Sequence, residues 1–184
     1  MKQNFFVIGM FQKKLSKSRT LKFNKKFKYE IKYLLSKLNY KNDTFVHRDF
    51  HVSNLVYNKD VIGLIDNQDA LFGNKAYDLA SLIDDVRFRT PNQFKKKLFE
   101  NYLKINKHTK IDEFKNDFEI LSVLRNLKII GIFTRLTHRD KKKRYLKLIP
   151  YAWELIILRM KYNEVFKNLA LLLDKNFPKI RVKL

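Results

Sequence analysis

The chain has 184 residues, enough for one domain or a large part of one, and carries a net charge of +22 from 40 basic and 18 acidic side chains. Hydrophobic residues make up 45% of the sequence and aromatic residues 14%, which excludes a disordered basic tail. The absence of cysteine excludes disulfides, a thiol nucleophile and thiolate metal sites, and the longest charge-free run, at 3–12, is too short to span a membrane.

The basic excess by itself suggests a nucleic-acid or anionic-membrane partner. The lysines are spread along the whole chain, however, and their runs at 95–97 and 141–143 lie on or beside predicted amphipathic helices. A solvated surface explains them, so we expect no specific nucleic-acid partner and no membrane span. Two lysines follow the run at 3–12 where a signal peptide has small residues, so we expect a cytoplasmic protein.

Hydrophobic periodicity predicts helices, then a short β segment, then more helices. Helical spacing of apolar residues predicts six helices, at 24–38, 77–86, from 90, at 111–137, 150–160 and 164–173. Short apolar runs predict three strands, at 44–46, 55–57 and 61–65. The last two strands are separated by a turn-forming Asn-Lys-Asp cluster, which is typical of a hairpin.

The third helix has a recognisable start signal. Thr90 offers a capping hydroxyl, and Pro91 follows it in the expected first turn. Continuing the helical period from there predicts that Phe94, Leu98 and Tyr102 face inward.

Polar residues typical of phosphoryl transfer are concentrated between 47 and 85. Asp49 is followed five positions later by Asn54, and Asp66 comes twelve positions after that, at the end of an apolar strand. Phosphoryl transfer from ATP needs a carboxylate that orients the attacking hydroxyl and accepts its proton, together with side-chain oxygens that hold magnesium. Magnesium prefers oxygen ligands, so this order of acid, amide and acid predicts a kinase-type site.

The motifs around these residues resemble a known superfamily. The spacing H-R-D-x-x-x-x-N at 47–54 is shared with protein kinases, and the strings I-D-N-Q-D-A at 65–70 and A-Y-D-L-A-S-L at 76–82 follow it. Together they resemble the aminoglycoside phosphotransferase and choline kinase superfamily. The stretch 125–146 is similar to the C-terminal helices of the anomeric N-acetylmuramate and N-acetylglucosamine kinases of cell-wall recycling, and the whole resemblance covers residues 25–160.

The resemblance implies an α+β fold: the mostly helical large, C-terminal lobe of a protein-kinase-like fold, with a small β segment around the catalytic loop. It implies a single domain over 1–184. Within that domain, residues 1–43 precede the catalytic loop, 44–85 form the catalytic and metal-binding segment, and 86–184 form a helical region on the substrate side.

Carried over position by position, the resemblance implies that Asp49 is the catalytic base and that Asn54 and Asp66 are the magnesium ligands. Two further pairs are implied: His47 and Asp78 to support the catalytic loop, and Arg48 and His51 to contact substrate or phosphate. The acceptor-binding residues are expected on the helices between 85 and 160, where the candidates are Arg87, Arg125, Arg135 and Trp153.

The implied activity is phosphorylation of the anomeric hydroxyl of N-acetylmuramate or N-acetylglucosamine, with ATP as co-substrate and Mg²⁺ as cofactor. Kinases of this superfamily act on other acceptors as well, so an aminoglycoside, choline or homoserine remains an alternative. A catalytically inactive lobe that acts only as a binding module is the alternative outside enzymes.

Two departures from the family pattern shape these expectations. Position 67 is asparagine where the family usually has an aromatic residue, so Asn67 is expected either to loosen the loop that holds Asp66 or to turn outward.

The four glycines, Gly9, Gly63, Gly73 and Gly131, are too far apart to form a glycine-rich phosphate loop, so we expect the N-lobe to be absent. A truncated gene, a separately encoded N-lobe and a decayed lobe stay open. With half of the ATP clamp missing, we expect weak ATP binding, little turnover and an exposed apolar lobe-facing surface.

A second His-Arg-Asp tripeptide at 138–140 provides an internal control. Five residues after Asp140 stands Tyr145 rather than asparagine, and no apolar strand ending in an acid follows. We therefore predict a helix end that meets a basic turn, without catalysis.

Overall fold

The computed structural model describes residues 17–107 and 109–177, so the charge-free run at 3–12 lies outside the described residues. These residues are mostly helical with two small antiparallel sheets, which confirms the α+β class. The elements in chain order are α1 (Lys17–Ser36), β1 (Thr44–Val46), β2 (Leu55–Asn58), β3 (Val61–Leu64), β4 (Leu71–Gly73), α2 (Tyr77–Ile83), α3 (Asn92–Ile105), α4 (Ile111–His138), α5 (Ile149–Met160) and α6 (Lys167–Asn176). None of the helices described is long and apolar enough to cross a membrane.

The chain divides into two compact units, and the boundary falls inside α4. Among the described residues, the first unit comprises 17–37 and 123–177, and the second unit comprises 38–122. The single domain expected over 1–184 stays a prediction. All of the sequence-predicted residues for catalysis, metal binding and loop support lie in the second unit.

The β segment of the second unit contains two separate two-stranded sheets. β2 and β3 form the predicted hairpin, whose turn residues Lys59 and Asp60 have φ angles of 43° and 67°. Two consecutive left-handed residues are typical of the turn that matches the twist of a two-residue hairpin. β1 pairs antiparallel with β4, from Thr44 opposite Gly73 to Val46 opposite Leu71.

The strand β4 was not predicted. It has three residues, too few to show an alternating pattern, and its middle residue is an exposed phenylalanine. Gly73 allows the close approach of the two strands, because a Cβ atom there would lie 3.0 Å from Val46 Cγ2. The pairing is therefore set by contact between strands that are distant in sequence.

The core of the second unit forms where α2 meets the first part of α4. Small residues of α2 pack against large rings of α4, with Ala76, Ala80, Ile83, Phe114, Phe118 and Leu121 in one buried cluster. α3 covers this cluster, and its Tyr102 ring stacks on Phe114 with centroids 4.9 Å apart. Burial of this aromatic surface fixes the position of α2, and with it the position of Asp78 on the first turn of the helix.

Two expectations for α3 are wrong. The helix begins at Asn92, and the residue in the N-cap position is Pro91, which offers no side-chain cap in place of the expected Thr90 hydroxyl. Phe94 is exposed, whereas Leu98 and Tyr102 do pack against the core as predicted. The inward face of α3 includes Lys95 instead, because its ammonium group finds a buried carboxylate, and an apolar pattern does not register a buried lysine.

The first unit packs α1 against α6. Phe23 and Phe27 lie on the buried face of α1, and the Phe23 ring meets Phe177, just after α6, edge-on at 5.3 Å. As predicted, α4 ends at His138 and meets a basic turn, in which Lys141 has a φ of 56° and Asp140 pairs with Arg139. The second His-Arg-Asp tripeptide is thus a helix terminus.

Candidate active site

The loop between β1 and β2 carries the first predicted site residues, and a buried histidine anchors it. The His47 ring is buried, and its Nε2 lies 3.1 Å from the carbonyl oxygen of Ile65, immediately after β3. A carbonyl only accepts hydrogen bonds, so Nε2 carries the proton and donates it. His47 therefore ties the start of the loop to the end of the hairpin.

Asp78, on the first turn of α2, holds the backbone of the same loop. One of its carboxylate oxygens accepts from the amide of His47 at 2.6 Å, and the other accepts from the amide of Arg48 at 3.0 Å. Arg48 has a φ of 73°, which is unfavourable for a residue with a side chain. The two charge-assisted hydrogen bonds hold this unfavourable backbone in place.

Asn54 closes the other side of the loop. It is buried within a single 3-10 turn, Val52–Asn54, and its Nδ2 donates to the backbone oxygen of Asp49 at 2.9 Å. Because the amide nitrogen is used in this way, the orientation of the side chain is fixed and its Oδ1 points elsewhere. Among the described residues, Oδ1 of Asn54 has no hydrogen-bond partner. The loop thus presents an oriented amide oxygen.

Ile65 connects the end of β3 to the loop through its backbone. Its amide donates to the Asn54 carbonyl at 3.1 Å, and its own carbonyl accepts from His47. The next residue, Asp66, is exposed and has a φ of 69°, and one of its carboxylate oxygens accepts from Gln68 Nε2. Backbone hydrogen bonds therefore bring the Asp66 segment beside the Asn54 segment.

Asp49 differs from its neighbours because its side chain is exposed. Within residues 17–107 and 109–177, its carboxylate makes no hydrogen bond or ion pair, while its backbone oxygen is held by Asn54. A fixed backbone with a free carboxylate is the arrangement that a general base requires. The structure therefore brings together the segments that carry Asp49, Asn54 and Asp66, with Asp78 beneath the loop.

The two residues expected to contact substrate are placed differently. Arg48 is half-buried and donates from Nη1 to the carbonyl oxygen of Asp69 at 3.1 Å, so its guanidinium braces the loop after Asp66. His51 is buried. Contact of either side chain with substrate stays a prediction. Asn67 is exposed, so of the two outcomes expected for this position, the outward turn is the one observed.

The candidate acceptor-binding residues lie in both units and have different environments. Arg87 is exposed and pairs with the buried Asp85 at 3.3 Å in the second unit. In the first unit, Arg125 and Trp153 are buried, and Arg135 is exposed. Acceptor binding by any of these four residues stays a prediction.

A buried carboxylate that the sequence did not single out organises the approach to α2. Asp117 of α4 is fully buried and accepts from the backbone amides of Asn39 and Tyr40 at 2.8 and 2.9 Å. It also accepts from Asn74 Nδ2 at 2.7 Å, and Asn74 Oδ1 accepts from the amide of Ala76 just before α2. The signal that was missed is an acid on the apolar face of a helix, three residues after Phe114.

A second buried network fixes the far end of α2. Asp84, immediately after the helix, accepts from Ser122 Oγ at 2.6 Å and pairs with Lys95 Nζ at 3.3 Å. The same ammonium donates to the carbonyl oxygen of Ile83. All of these polar side chains are buried, so α2 is held at one end by this ion pair and at the other by Asp78.

The residues at the loop fit a hard divalent cation. The amide oxygen of Asn54 and the second carboxylate oxygen of Asp66 are oxygen donors without a partner among the described residues. The described His, Asp and Glu side chains do not gather in groups of three or more that could hold a metal ion. Two protein oxygens with substrate phosphates and water match the way proteins hold magnesium, rather than a site built from protein ligands alone.

The hairpin that leads to Asp66 exposes apolar side chains on both faces. We call these five residues the hairpin patch: Val56, Tyr57, Val61, Ile62 and Leu64, which are 40–71% exposed. Tyr57, Ile62 and Leu64 share one face of the hairpin, and Val56 and Val61 lie on the opposite face, so each face carries an apolar strip. An exposed apolar surface is therefore present on the second unit, and that it faces an N-lobe stays a prediction.

A loop that carries Asp49 and Asn54, with Asp66 beside it and Asp78 beneath it, is the arrangement expected of a phosphotransferase, and the comparisons with known proteins show the family. Residues 12–114, more than half of the chain, match the model of the phosphotransferase enzyme family (APH). The chain belongs to this family.

Similar proteins narrow the resemblance. The chain is 35% identical over 153 residues to the N-acetylmuramate/N-acetylglucosamine kinase of Neisseria meningitidis serogroup B. The matched region covers 80% of this chain and 46% of that protein. It is 36% identical over 112 residues to the protein of the same name from Pseudomonas aeruginosa, covering 58% of this chain and 33% of that protein. A third, from Caulobacter vibrioides, is 32% identical over 114 residues. The chain spans less than half the length of these curated relatives.

Proposed function

We propose that the chain is the catalytic lobe of an ATP- and magnesium-dependent kinase that phosphorylates the anomeric hydroxyl of N-acetylmuramate or N-acetylglucosamine. The observation that carries the proposal is the way in which hydrogen bonds hold the loop between β1 and β2. Asp78 fixes the His47 and Arg48 amides, Asn54 fixes the Asp49 carbonyl, and the Asp49 carboxylate is left exposed. A structural loop has no need for such a free, positioned acid.

Asp49 acts as the base in this proposal. Its carboxylate orients the sugar hydroxyl and accepts the hydroxyl proton as the oxygen bonds to the γ-phosphorus of ATP and the bond to ADP breaks. His47 and Asp78 do not contact the reacting atoms. They are positioning residues, because they hold the backbone on which Asp49 sits.

Asn54 and Asp66 would hold the magnesium ion. When bound, the ion neutralises charge on the phosphates of ATP during transfer. Asn54 contributes its oriented Oδ1, and Asp66 contributes the carboxylate oxygen that Gln68 does not use. Arg48 and His51 remain the proposed contacts to substrate or phosphate.

The proposed acceptor rests on the names of the relatives. Four matching proteins are N-acetylmuramate/N-acetylglucosamine kinases, and no sequence observation favours an aminoglycoside, choline or homoserine over these sugars. Both sugars are components of the cell wall, so the proposed place of action is cell-wall recycling. Dependence on ATP places that action in the cytoplasm.

The hairpin patch supports a requirement for a second lobe. In kinases, the phosphates of ATP are covered by an N-lobe that carries a glycine-rich loop and a lysine. The hairpin patch leads directly to Asp66, and an apolar surface of this kind is stabilised when another protein surface covers it. We propose that turnover at the rate of a complete kinase requires an N-lobe packed on the hairpin patch.

The test compares Asp49 with Asp140, each of which is the third residue of a His-Arg-Asp tripeptide. The chain alone, and a chimera that supplies a complete N-lobe of the family, are incubated with Mg²⁺, radiolabelled ATP and each candidate acceptor. We expect transfer to N-acetylmuramate or N-acetylglucosamine by the chimera and little by the chain alone. Asp49→Asn should lower the rate about 10²–10⁴-fold, the typical contribution of a general base, whereas Asp140→Asn should leave it unchanged.

The outcomes separate the alternatives. Transfer to a different acceptor contradicts the proposed substrate, and a rate for the chain alone equal to that of the chimera contradicts the required N-lobe. A silent chimera whose melting temperature does not rise with Mg²⁺ and ATP indicates an inactive lobe, because a ligand that binds the native state must stabilise it.

A further inference from the structure

The first unit contains a charged groove that phosphoryl transfer does not use. It lies between α1 and α6, has a volume of about 630 Å³, and is lined by one face of each helix. That volume falls within the range of small-molecule sites, roughly 300–1,000 Å³. All of its lining residues are in the first unit, so the groove is complete without the residues of the catalytic loop.

Glu30 is the unusual feature of this groove. Its side chain is only 9% exposed, yet among the described residues it makes no hydrogen bond and no ion pair. Burial raises the pKa of its carboxyl group above the ordinary value, because the charged form is desolvated. Its carboxylate oxygens are not among the fully buried polar atoms, so they open onto the groove and are available as hydrogen-bond acceptors there.

Three lysines line the same groove: Lys25 and Lys26 on α1, and Lys175 on α6. None of them is paired with an acid in the part of the chain that the structure describes, so the three positive charges exceed the single charge of Glu30 by two. Lysine ammonium groups donate hydrogen bonds to phosphate or carboxylate oxygens. The groove therefore offers donors for an anion together with one carboxylate acceptor for a hydroxyl group.

The apolar part of the groove is small. Leu171 and Leu172 of α6 and the ring of Tyr29 supply it. A helix from another protein would need apolar anchors along several turns, and here most of the remaining lining is charged. A membrane surface is too flat to reach a side chain as buried as Glu30. These features favour a compact ligand.

We propose that the α1–α6 groove binds a small phosphorylated sugar or polyol, with its phosphate on the three lysines and a hydroxyl group donating to Glu30. The apolar face of the sugar ring packs on Leu171 and Leu172. The site is separate from the proposed phosphotransfer chemistry and does not depend on that chemistry.

The test uses three probes and the full chain. Binding is followed by NMR, through the amide shifts of α1 and α6. Glucose 6-phosphate should shift these amides and saturate. Glucose, which lacks the anion, and hexyl phosphate, which lacks the hydroxyl groups, should each bind about tenfold more weakly.

Matched variants assign the binding to the groove. Lys26→Met should weaken glucose 6-phosphate binding several-fold, whereas Lys28→Met, which removes the same charge from an exposed position on α1 outside the groove, should have no effect. Glu30→Gln should weaken binding about tenfold without unfolding the protein. Because the pKa of Glu30 is raised in the folded state, ionisation costs stability as the pH rises above about 4.5, so this variant should melt at a higher temperature at pH 7.

Three results overturn the proposal. One is the absence of saturable shifts on α1 and α6. Another is equal binding of glucose 6-phosphate and hexyl phosphate with no effect of Glu30→Gln, which describes a non-specific cluster of lysines. The last is equal effects of Lys26→Met and Lys28→Met.

Discussion

The second unit holds the two sides of its candidate site in contrasting ways. Asp78 sits on a helix whose ends are fixed by buried polar networks and whose face packs on aromatic rings. Asp66 follows a hairpin in which every residue except Leu55 is exposed. The loop that carries Asp49 is thus held from below by the core, whereas the Asp66 segment depends on two hydrogen bonds of Ile65, one with the Asn54 carbonyl and one with His47 Nε2.

The physical basis of the difference is burial. Hydrogen bonds in the buried networks act in a low-dielectric environment and have no water to compete with them. A two-stranded hairpin with exposed faces is at best marginally stable by itself. The loop that bears Asp49 is therefore held by the fold itself, and covering the hairpin patch should make the segment that bears Asp66 more rigid.

The largest effect on stability is expected from breaking the buried ion pair at the end of α2. Lys95→Met removes the ion-pair partner of the buried Asp84, which keeps its hydrogen bond from Ser122, and removing one partner of a buried ion pair typically costs about 3–5 kcal/mol. Urea denaturation followed by circular dichroism should show a free energy of unfolding that is lower by that amount. The adjacent Lys96 is exposed, so Lys96→Met is the control and should change the free energy of unfolding by less than about 0.5 kcal/mol. Equal effects of the two substitutions would contradict the buried ion pair.

The next prediction concerns the brace beneath the loop. Asp78→Asn puts an amide NH₂ group where a carboxylate oxygen accepts from the backbone, so one buried donor loses its partner at a cost of about 1–3 kcal/mol. Hydrogen exchange at the His47 and Arg48 amides should become faster by a corresponding factor. Asp43→Asn, an exposed aspartate just before β1, should leave these two amides unchanged. Unchanged exchange in Asp78→Asn would show that the loop does not need the brace.

The same contrast explains what the sequence could predict. The hairpin and β1 follow from local patterns, and Asp49, Asn54, Asp66 and Asp78 follow from motif spacing. β4 could not be predicted, because its register is set by a partner strand about 25 residues earlier in the chain. The runs of lysine show the limit most clearly. Lys95 and Lys96 are adjacent and chemically identical, and only the tertiary position of Asp84 decides which of them is buried.

The supporting carboxylates were missed for a related reason. Asp117 occupies the apolar face of α4, where a single acid among large hydrophobic residues resembles an exception to the pattern. Its role depends on donors from Asn39, Tyr40 and Asn74, which the fold brings together from distant parts of the sequence. The candidate site residues belong to short motifs, whereas Asp117, whose partners come from distant parts of the sequence, does not.

A smaller effect is expected from a substitution in the exposed hairpin patch. Ile62→Lys introduces a charge into the hairpin patch without removing a buried contact, so the free energy of unfolding should change by less than about 0.5 kcal/mol. Exposed apolar surface favours self-association, so self-association in sedimentation velocity should fall when the face of Tyr57, Ile62 and Leu64 is interrupted. Ile111→Lys, at a similarly exposed isoleucine outside the patch, should leave self-association unchanged. If both variants reduce association equally, net charge rather than the hairpin patch is responsible.

The smallest effect concerns the hairpin turn. Lys59 has a φ of 43°, where a branched or long side chain is disfavoured and asparagine is well tolerated, so Lys59→Asn should stabilise the hairpin by about 0.5 kcal/mol. Slower hydrogen exchange of the β2 and β3 amides would report it. Lys141→Asn makes the same exchange at a left-handed lysine of the first unit, and it should leave the hairpin amides unchanged. Because the hairpin gains little from burial, its turn contributes a larger share of its stability than a turn does in a packed sheet. A Lys59→Asn variant with unchanged exchange at β2 and β3 would show that the surrounding loop contacts, rather than the turn, determine how often the hairpin opens.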